Sequence, residues 1–341
     1  MPASDPTDTA LACFRVKRTR EVDVHARNLD AWDQDYVQTS PGVFQGQVRE
    51  LFDGPLQAFE EVANCATSQH CRPWQGGVWL GLSVPERPVD LRFMGRTVGG
   101  HELMISDGSE AFDLQVPAGH GLYGLVFDPG ELRQHVRALD QAEAAPTRSP
   151  GVRLQVLTPT QRFRLVGLLR EVLRGLEANP GALAHAASRR SLREALMTVL
   201  ADTLMPADQA DAVTPRQQRR QAVVRRVREL ITEQPLEYLG VERLCSELHV
   251  TRRTLHNCFQ DSLGISPANY LRLVRLNAVR RELLNAPGDR TIVDVAARWG
   301  FWHMGHFSQD YKTLFGEPPS HTRPMARRFD TSFDQSFFNK C

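Results

Sequence analysis

At 341 residues the chain is long enough for two domains, each with its own core. Its formal net charge of +1 hides an asymmetry: residues 215–341 carry 20 Lys and Arg against 13 Asp and Glu, a net of +7, whereas residues 1–214 carry 21 against 27, a net of −6. A polyanion would therefore bind the C-terminal half, while a polar N-terminus (MPASDPTDTA) and the lack of any apolar run near ~18–20 residues argue against a secretory leader and a membrane span.

Residues 1–20 read as a flexible lead. From about 43 to 129 the pattern is strand-like. The stretch 43–51 alternates in part, and 77–84, 89–98, 111–116 and 121–127 are short apolar or alternating runs. Turn signals separate them at Pro85, Pro88, Gly99-Gly100, Asp107-Gly108 and Pro117-Ala118-Gly119. Such spacing predicts a small antiparallel barrel or sandwich, with 56–66 as a helix between strands. Residues 160–178 and 189–204 then read as amphipathic helices, with Leu165, Leu168, Leu169, Val172 and Leu176 on one face of the first and Leu192, Leu196, Val199 and Leu200 on the second. Two readings stay open for them: packing on their own barrel, or pairing across a two-fold axis. The polar, proline-bearing stretch 205–216 predicts an interdomain linker.

The six cysteines at 13, 65, 71, 245, 258 and 341 contain no C-x-x-C pair, so a reduced, cytoplasmic protein is expected. Cys245 and Cys258 read as small buried residues. Cys65, His70 and Cys71 are close in sequence, but their spacing matches no common zinc pattern.

The last third repeats itself. The segment 241–259 (VERLCSELHVTRRTLHNCF) and the segment 292–311 (IVDVAARWGFWHMGHFSQDY) share one pattern and end alike, at Gly264 with Ser266-Pro267 and at Gly316 with Pro318-Pro319. The offset is 51 residues from Val250 to Phe301, and 52 from Leu255 to Phe307, Phe259 to Tyr311 and Gly264 to Gly316. One extra residue is thus expected at the start of the second copy's second helix. Each copy reads as a helix-turn-helix, and two such pairs can put two helices into successive major grooves.

Local rules support both copies. Leu244 and Leu248 form a stripe, Thr251 is an N-cap, and Leu255 and Phe259 face inward, leaving Arg252, Arg253, His256, Asn257 and Gln260 outward. In the second copy Val295 and Trp299 form the stripe, and Gly300 permits a left-handed turn. Phe307 and Tyr311 face the core, leaving His303, His306, Gln309 and Asp310 outward. A helix over 221–233 packs beside the first pair. A helix over 266–284, capped by Ser266 with Pro267 at its first position, links the two.

These residues carry a family resemblance. The pattern Ile292…Ala296-Ala297…Gly300-Phe301…Phe307-Ser308…Tyr311-Lys312…Gly316…Pro319 resembles the DNA-binding domain of the AraC family of bacterial transcription regulators over roughly 218–328. Pro318 stands where serine is usual, and Thr322 where an aromatic is common. The segments 248–250, 252–255, 275–283 and 299–303 resemble the ethanolamine-operon regulator branch, with a weaker likeness at Ala31-Trp32 and at Pro41-Gly42, Phe44 and Gly46.

The resemblance implies an α+β protein. Residues 1–204 would be a cupin-like antiparallel β-barrel with terminal helices, sensing an effector and a candidate for dimerisation. Residues 205–216 would be the linker. Residues 217–330 would be an all-α DNA-binding domain with two helix-turn-helix motifs joined by a linker helix. It further implies an activator of an amine or amino-alcohol catabolic operon. Its partners would be double-stranded promoter DNA, RNA polymerase and a second copy, with no membrane. Ethanolamine or another amine would be the effector, with adenosylcobalamin as a further candidate.

For base reading the candidates are Arg253, His256 and Asn257 on the first recognition helix and His303, His306 and Gln309 on the second, because Arg pairs with guanine and Asn with adenine. Arg252, Lys312, Arg272 and Arg290 are phosphate candidates, and Gly305 leaves room for close approach. Trp302 contacts a sugar or caps the turn. For the effector, Trp74, Trp79, Phe93 and Tyr123 are candidate cavity walls, with Glu102, Glu110 and Asp113 as carboxylates for an amine. Two alternatives stay open: a metal-dependent cupin-type enzyme fused to a DNA-binding tail, and an effector-independent repressor. Against the enzyme, His101, Glu102 and His120 are scattered and no H-x-H occurs.

Overall fold

Strands with one apolar face must bury it, and in the N-terminal half they do so by stacking two antiparallel sheets. The computed structural model describes residues 12–84, 90–138, 151–204, 210–212, 214–233, 239–285 and 290–322. The N-terminal half runs β1 (Cys13–Thr19), α1 (Val22–Ala26), β2 (Asp33–Gln38), β3 (Gly46–Asp53), β4 (Leu56–Ala63), β5 (Thr67–Arg72), β6 (Val78–Val84), β7 (Arg92–Phe93) and β8 (Arg96–Thr97). It continues through β9 (Glu102–Ser106), β10 (Phe112–Val116), β11 (His120–Phe127), α2 (Pro129–Ala138), β12 (Val152–Val156), α3 (Pro159–Ala178), α4 (Ala186–Leu204) and β13 (Ala210–Ala212). The helical part follows as α5 (Pro215–Glu233), α6 (Val241–Glu247), α7 (Arg252–Leu263), α8 (Pro267–Asn285), α9 (Ile292–Arg298), α10 (Met304–Phe315) and α11 (Pro319–Thr322). No helix among the described residues is long and apolar enough to cross a membrane.

The larger sheet has the order β1-β3-β4-β11-β6-β9-β12-β13, and the smaller has β2-β5-β10-β7-β8. Neither closes, so the barrel expected from the sequence is corrected to two open sheets. Closure is not needed to hide the larger sheet's second face. Leu82, Leu103, Ile105 and Leu125 on that face pack with Leu165, Leu169 and Leu173 of α3 and with Leu196 and Leu200 of α4. The two amphipathic helices therefore pack on their own sheet.

Two further expectations are corrected. Residues 13–19 are a strand rather than a flexible lead, because β1 pairs with β3 along its whole length; residues 1–11 of that lead lie outside the described residues. The segment 56–66 is not a helix. Leu56–Ala63 is a strand buried at every position and paired on both edges, to β3 and β11. Its apolar spacing suits a helix or a strand, and the neighbours decide. Glu60 meets the Arg49 guanidinium at 2.6 Å, and Glu61 lies 2.9 Å from the His25 imidazole. Within the run 89–98, Arg92–Phe93 and Arg96–Thr97 form the β7–β8 hairpin, while residues 85–89, Pro85 and Pro88 among them, lie outside the described residues. Of the expected linker 205–216, residues 205–209 and 213 lie outside them too. Residues 210–212 instead extend the larger sheet, pairing with β12. Helix α5 starts early because Thr214 and Gln217 cap it reciprocally, at 3.3 and 2.9 Å.

His120 opens β11 at 3% exposure, its Nε2 2.8 Å from Ser83 Oγ. Burial pushes its imidazolium down from 6.5 to about 4. The unfolded chain takes up a proton near 6.5 and the folded chain only near 4. Stability is therefore lost as pH falls through that window, by about 3 kcal/mol at most. His120→Asn is expected to flatten the pH dependence of the urea midpoint between pH 7 and pH 4.5; an unchanged slope would remove His120 as its source.

The helical part has two cores strung on α8. Tyr270 and Leu271 join Val224, Val227 and Leu230 of α5, Leu244 of α6, and Leu255 and Phe259 of α7. Leu273, Leu276, Val279 and Leu283 join Val295 of α9 and Phe307, Tyr311, Leu314 and Phe315 of α10. Val37 of β2 completes this second core.

The seam between the halves is polar and specific. Buried Asn277 of α8 accepts from Gln38 N (3.1 Å) and donates to Gln38 O (3.2 Å), as a strand neighbour would. Gln38 Nε2 and Gly42 N both donate to Leu314 O at 3.0 Å, at the end of α10. Arg92 of β7 donates to the carbonyls of Gln260 (3.4 Å) and Asp261 (3.3 Å) near the end of α7. Arg228 of α5 donates to Asp113 of β10 and, through Nε, to Tyr270 Oη (3.1 Å).

Candidate nucleic-acid interface

The first helix pair is α6 and α7. The chain reverses at His249, φ 52°, a left-handed position that costs a non-glycine residue roughly 1–2 kcal/mol. Val250 N donates to Cys245 O (3.0 Å) and holds the turn. Thr251 Oγ1 then accepts from Thr254 N (3.1 Å) and caps α7, which ends at Gly264, φ 72°. The second pair, α9 and α10, starts from a capping box of Thr291 and Asp294 and turns at Gly300, φ 82°. It ends at Gly316, φ 75°. His249 and Gly300 occupy matching places, each just before the turn residues Val250 and Phe301. The left-handed turn thus recurs with and without glycine.

Helices α7 and α10 are each 12 residues long, with N-caps at Thr251 and His303. The extra residue of the second copy therefore lies in the turn, at Trp302, and not at the start of the helix as the spacing suggested. Trp302 is 77% exposed. The connecting helix α8 has 19 residues, capped by Ser266 Oγ accepting from Asn269 N at 3.3 Å. It spans about 28 Å, near the ~34 Å pitch that separates successive major grooves.

The inward residues bury as their spacing demands, with Leu255, Phe259, Phe307 and Tyr311 at most 1% exposed. Arg252, Arg253, His256, Asn257 and Gln260 are exposed on the first pair. His303, Gly305, His306, Gln309 and Lys312 are exposed on the second. The His303 and His306 rings stand edge to face, 6.2 Å apart. A Cβ at Gly305 would meet nothing within 4 Å.

Several phosphate candidates are engaged. Arg252 pairs with Glu242. Arg272 pairs with Asp310 at 2.8 Å, which accounts for Asp310 on the outward face. Arg290 pairs with Glu282 at 2.9 Å, alongside Arg298 (3.3 Å) and the Trp299 indole N–H (2.7 Å). Each arginine is about half exposed or more, so these pairs are weak and can yield to a phosphate.

The effector candidates do not form one group. Trp79 and Phe93 sit between the sheets with Trp32 and Phe112, and Trp79 stacks on Phe112 with centroids 4.2 Å apart. Trp74 packs at the edge of the same cluster. Tyr123 faces the other way, into the core beneath α3. Glu102 caps its own turn by accepting from Gly99 N (2.5 Å). Trp32 and Phe112 were missed, although alternation through Phe112, Leu114 and Val116 marks one inward face. The indole N–H of Trp79 is buried without a hydrogen-bond partner among the described residues. Cys65 and Cys71 are buried free thiols, and burial raises both. Cys258 is buried and Cys245 half-buried. No group of three or more His, Cys, Asp and Glu among the described residues could hold a metal ion.

Residues 244–325 match the family model described as a helix-turn-helix domain. Over 89 residues the chain is 39% identical to the probable thc operon regulatory protein of Rhodococcus erythropolis, covering 26% of each. Over 105 residues it is 34% identical to the XylDLEGF operon transcriptional activator of Pseudomonas putida, covering 30% of this chain and 32% of the relative. The chain thus spans about a quarter to a third of these curated relatives. It is 33% identical to the crystal structure of a probable AraC family transcriptional regulator from Rhodopseudomonas palustris, covering 30% of this chain and 99% of that one, with a TM-score of 0.28. Over this C-terminal domain the chain is thus similar to helix-turn-helix transcription regulators.

Proposed function

We propose that the chain binds promoter DNA sequence-specifically and activates transcription in response to a small effector. The observation that carries this is the pairing of two 12-residue helices, each ended by a left-handed glycine and each with a polar exposed face, on one connecting helix. The word activator in the Pseudomonas relative's name supports the direction of control. In this reading residues 217–330 bind DNA, with the stretch 323–330 outside the described residues, and residues 1–204 sense the effector. Arg253, His256, Asn257, His303, His306 and Gln309 read bases, Arg252 and Lys312 hold phosphates, and Gly305 lets the backbone approach. RNA polymerase is the downstream partner. A second copy pairs through the α3–α4 surface, where Phe163 is 78% exposed.

The Trp79 and Phe93 cluster, with its unpartnered indole N–H, supports an aromatic-walled effector site between the sheets. The amine reading, in the ethanolamine-operon branch, rests on the four C-terminal segments that resemble it. Its test is whether ethanolamine, with or without adenosylcobalamin, changes activity from a cognate promoter in a reporter assay; the same assay separates activator from repressor.

Arg253→Ala and His306→Ala are each expected to weaken binding to the cognate site by about 1–3 kcal/mol, since each removes one base contact. Both side chains are exposed, so the thermal midpoint should hold. A gel-shift titration at fixed salt checks this; unchanged affinity discards the two assignments.

A further inference from the structure

A cavity of about 530 Å³ lies in the seam, between the smaller sheet and α5, a size typical of small-molecule sites. Met94, Glu110 and Asp113 form one wall, and Arg219, Gln221 and Arg225 of α5 form the other. Gln221 Nε2 donates to Met94 O across it. Asp113 is already engaged, paired with Arg228 and 2.7 Å from His70 Nδ1. What remains is one carboxylate, Glu110, opposite two guanidinium groups. The Glu110–Arg225 pair is long, 3.4 Å, with side chains 70% and 55% exposed, so a ligand can part it at little cost.

We propose that this cavity binds a small zwitterion of the amino-acid class, its carboxylate on Arg219 and Arg225 and its ammonium on Glu110. The proposal rests on the effector-responsive reading and assigns a site outside the aromatic cluster. A zwitterion uses both charged walls at once, whereas an amine leaves the guanidinium groups unmet and a simple acid leaves Glu110 unmet. The position matters for control. Helix α5 lends Val224, Val227 and Leu230 to the core beneath α7, so a ligand gripping α5 and the sheet together favours one placement of the first recognition helix.

Isothermal titration of the full chain with glycine, β-alanine and γ-aminobutyrate tests this, with propionate and ethanolamine as single-charge probes. At least one zwitterion should bind saturably, and about tenfold or more tighter than either single-charge probe. Arg219→Gln and Glu110→Gln should each weaken it by about tenfold or more. Both side chains are exposed, so the fold should survive either change. No binding by all three zwitterions, binding indifferent to both substitutions, or tighter binding of ethanolamine overturns the proposal. A gel shift of the unliganded chain stands apart: its failure would strike the DNA-binding reading, not the cavity.

Discussion

Arg228→Met is expected to destabilise the chain by about 3–5 kcal/mol, because it leaves a buried carboxylate without its charge partner. Arg228 and Asp113 are 13% and 12% exposed, so neither is well hydrated. Burial alone would raise the Asp113 carboxyl, yet Arg228 and His70 hold it below its ordinary value of 3.8. A depressed carboxylate contributes stability that is full above 3.8 and is lost as pH falls below it, through the folded value. The loss in Arg228→Met should therefore be large at pH 7 and shrink below pH 3.8. Arg228→Met with Asp113→Asn should cost less than the sum of the two single changes by about 1 kcal/mol or more, since the double variant buries no lone charge. Urea midpoints at pH 7 read all three. Strict additivity would mean that the two groups do not stabilise the seam as a pair.

This seam is the part of the molecule least legible in the sequence. The caps at Thr251, Ser266, Gly264 and Gly316 are legible because each joins residues a few places apart. So are the inward positions of Leu255, Phe259, Phe307 and Tyr311, which follow one helical period. A tight turn is legible at both His249-Val250 and Gly300, but only the glycine reveals that its backbone is left-handed. Leu56–Ala63 misleads because a strand buried on both faces has no polar face to set its period. The strand spacing suits a closed barrel as well as two open sheets, and it does not say that α3 and α4 cover the larger one. Among the effector candidates, Trp79 and Tyr123 look alike in composition, and the strand pleat alone sends them to opposite faces. The seam contacts join residues more than a hundred positions apart, and no local rule marks them. One weak signal exists: Asn277 is a polar residue among Leu273, Leu276 and Val279 on the buried side of α8, and an amide there needs partners from outside the helix.

Arg280→Ala should show whether the seam governs DNA binding as well as stability. Arg280 lies on α8 with its side chain 9% exposed, and it joins three elements. Its Nε and Nη2 grip both oxygens of Glu21 at 2.7 and 2.8 Å, and its Nη1 donates to Glu317 Oε1 at 2.8 Å, beside the end of α10. Its guanidinium carbon also lies 4.8 Å from the centre of the Phe315 ring. Removing it strands two carboxylates, but Glu21 and Glu317 are 23% and 29% exposed and partly rehydrate. The expected loss is therefore about 3 kcal/mol, at the low end for such pairs. Arg280→Lys should recover little of this, because a point charge cannot make the bidentate grip and the third bond together. The informative readout is promoter affinity, since Arg280 is not among the residues proposed to contact DNA. If Glu317 fixes the end of α10 through Arg280, α10 loses one anchor and affinity falls along with the urea midpoint. A fall in stability with unchanged affinity would mean that Gln38 and Gly42, both donating to Leu314 O, hold α10 without it. The placement of the second helix pair would then rest on the β2 side of the seam alone.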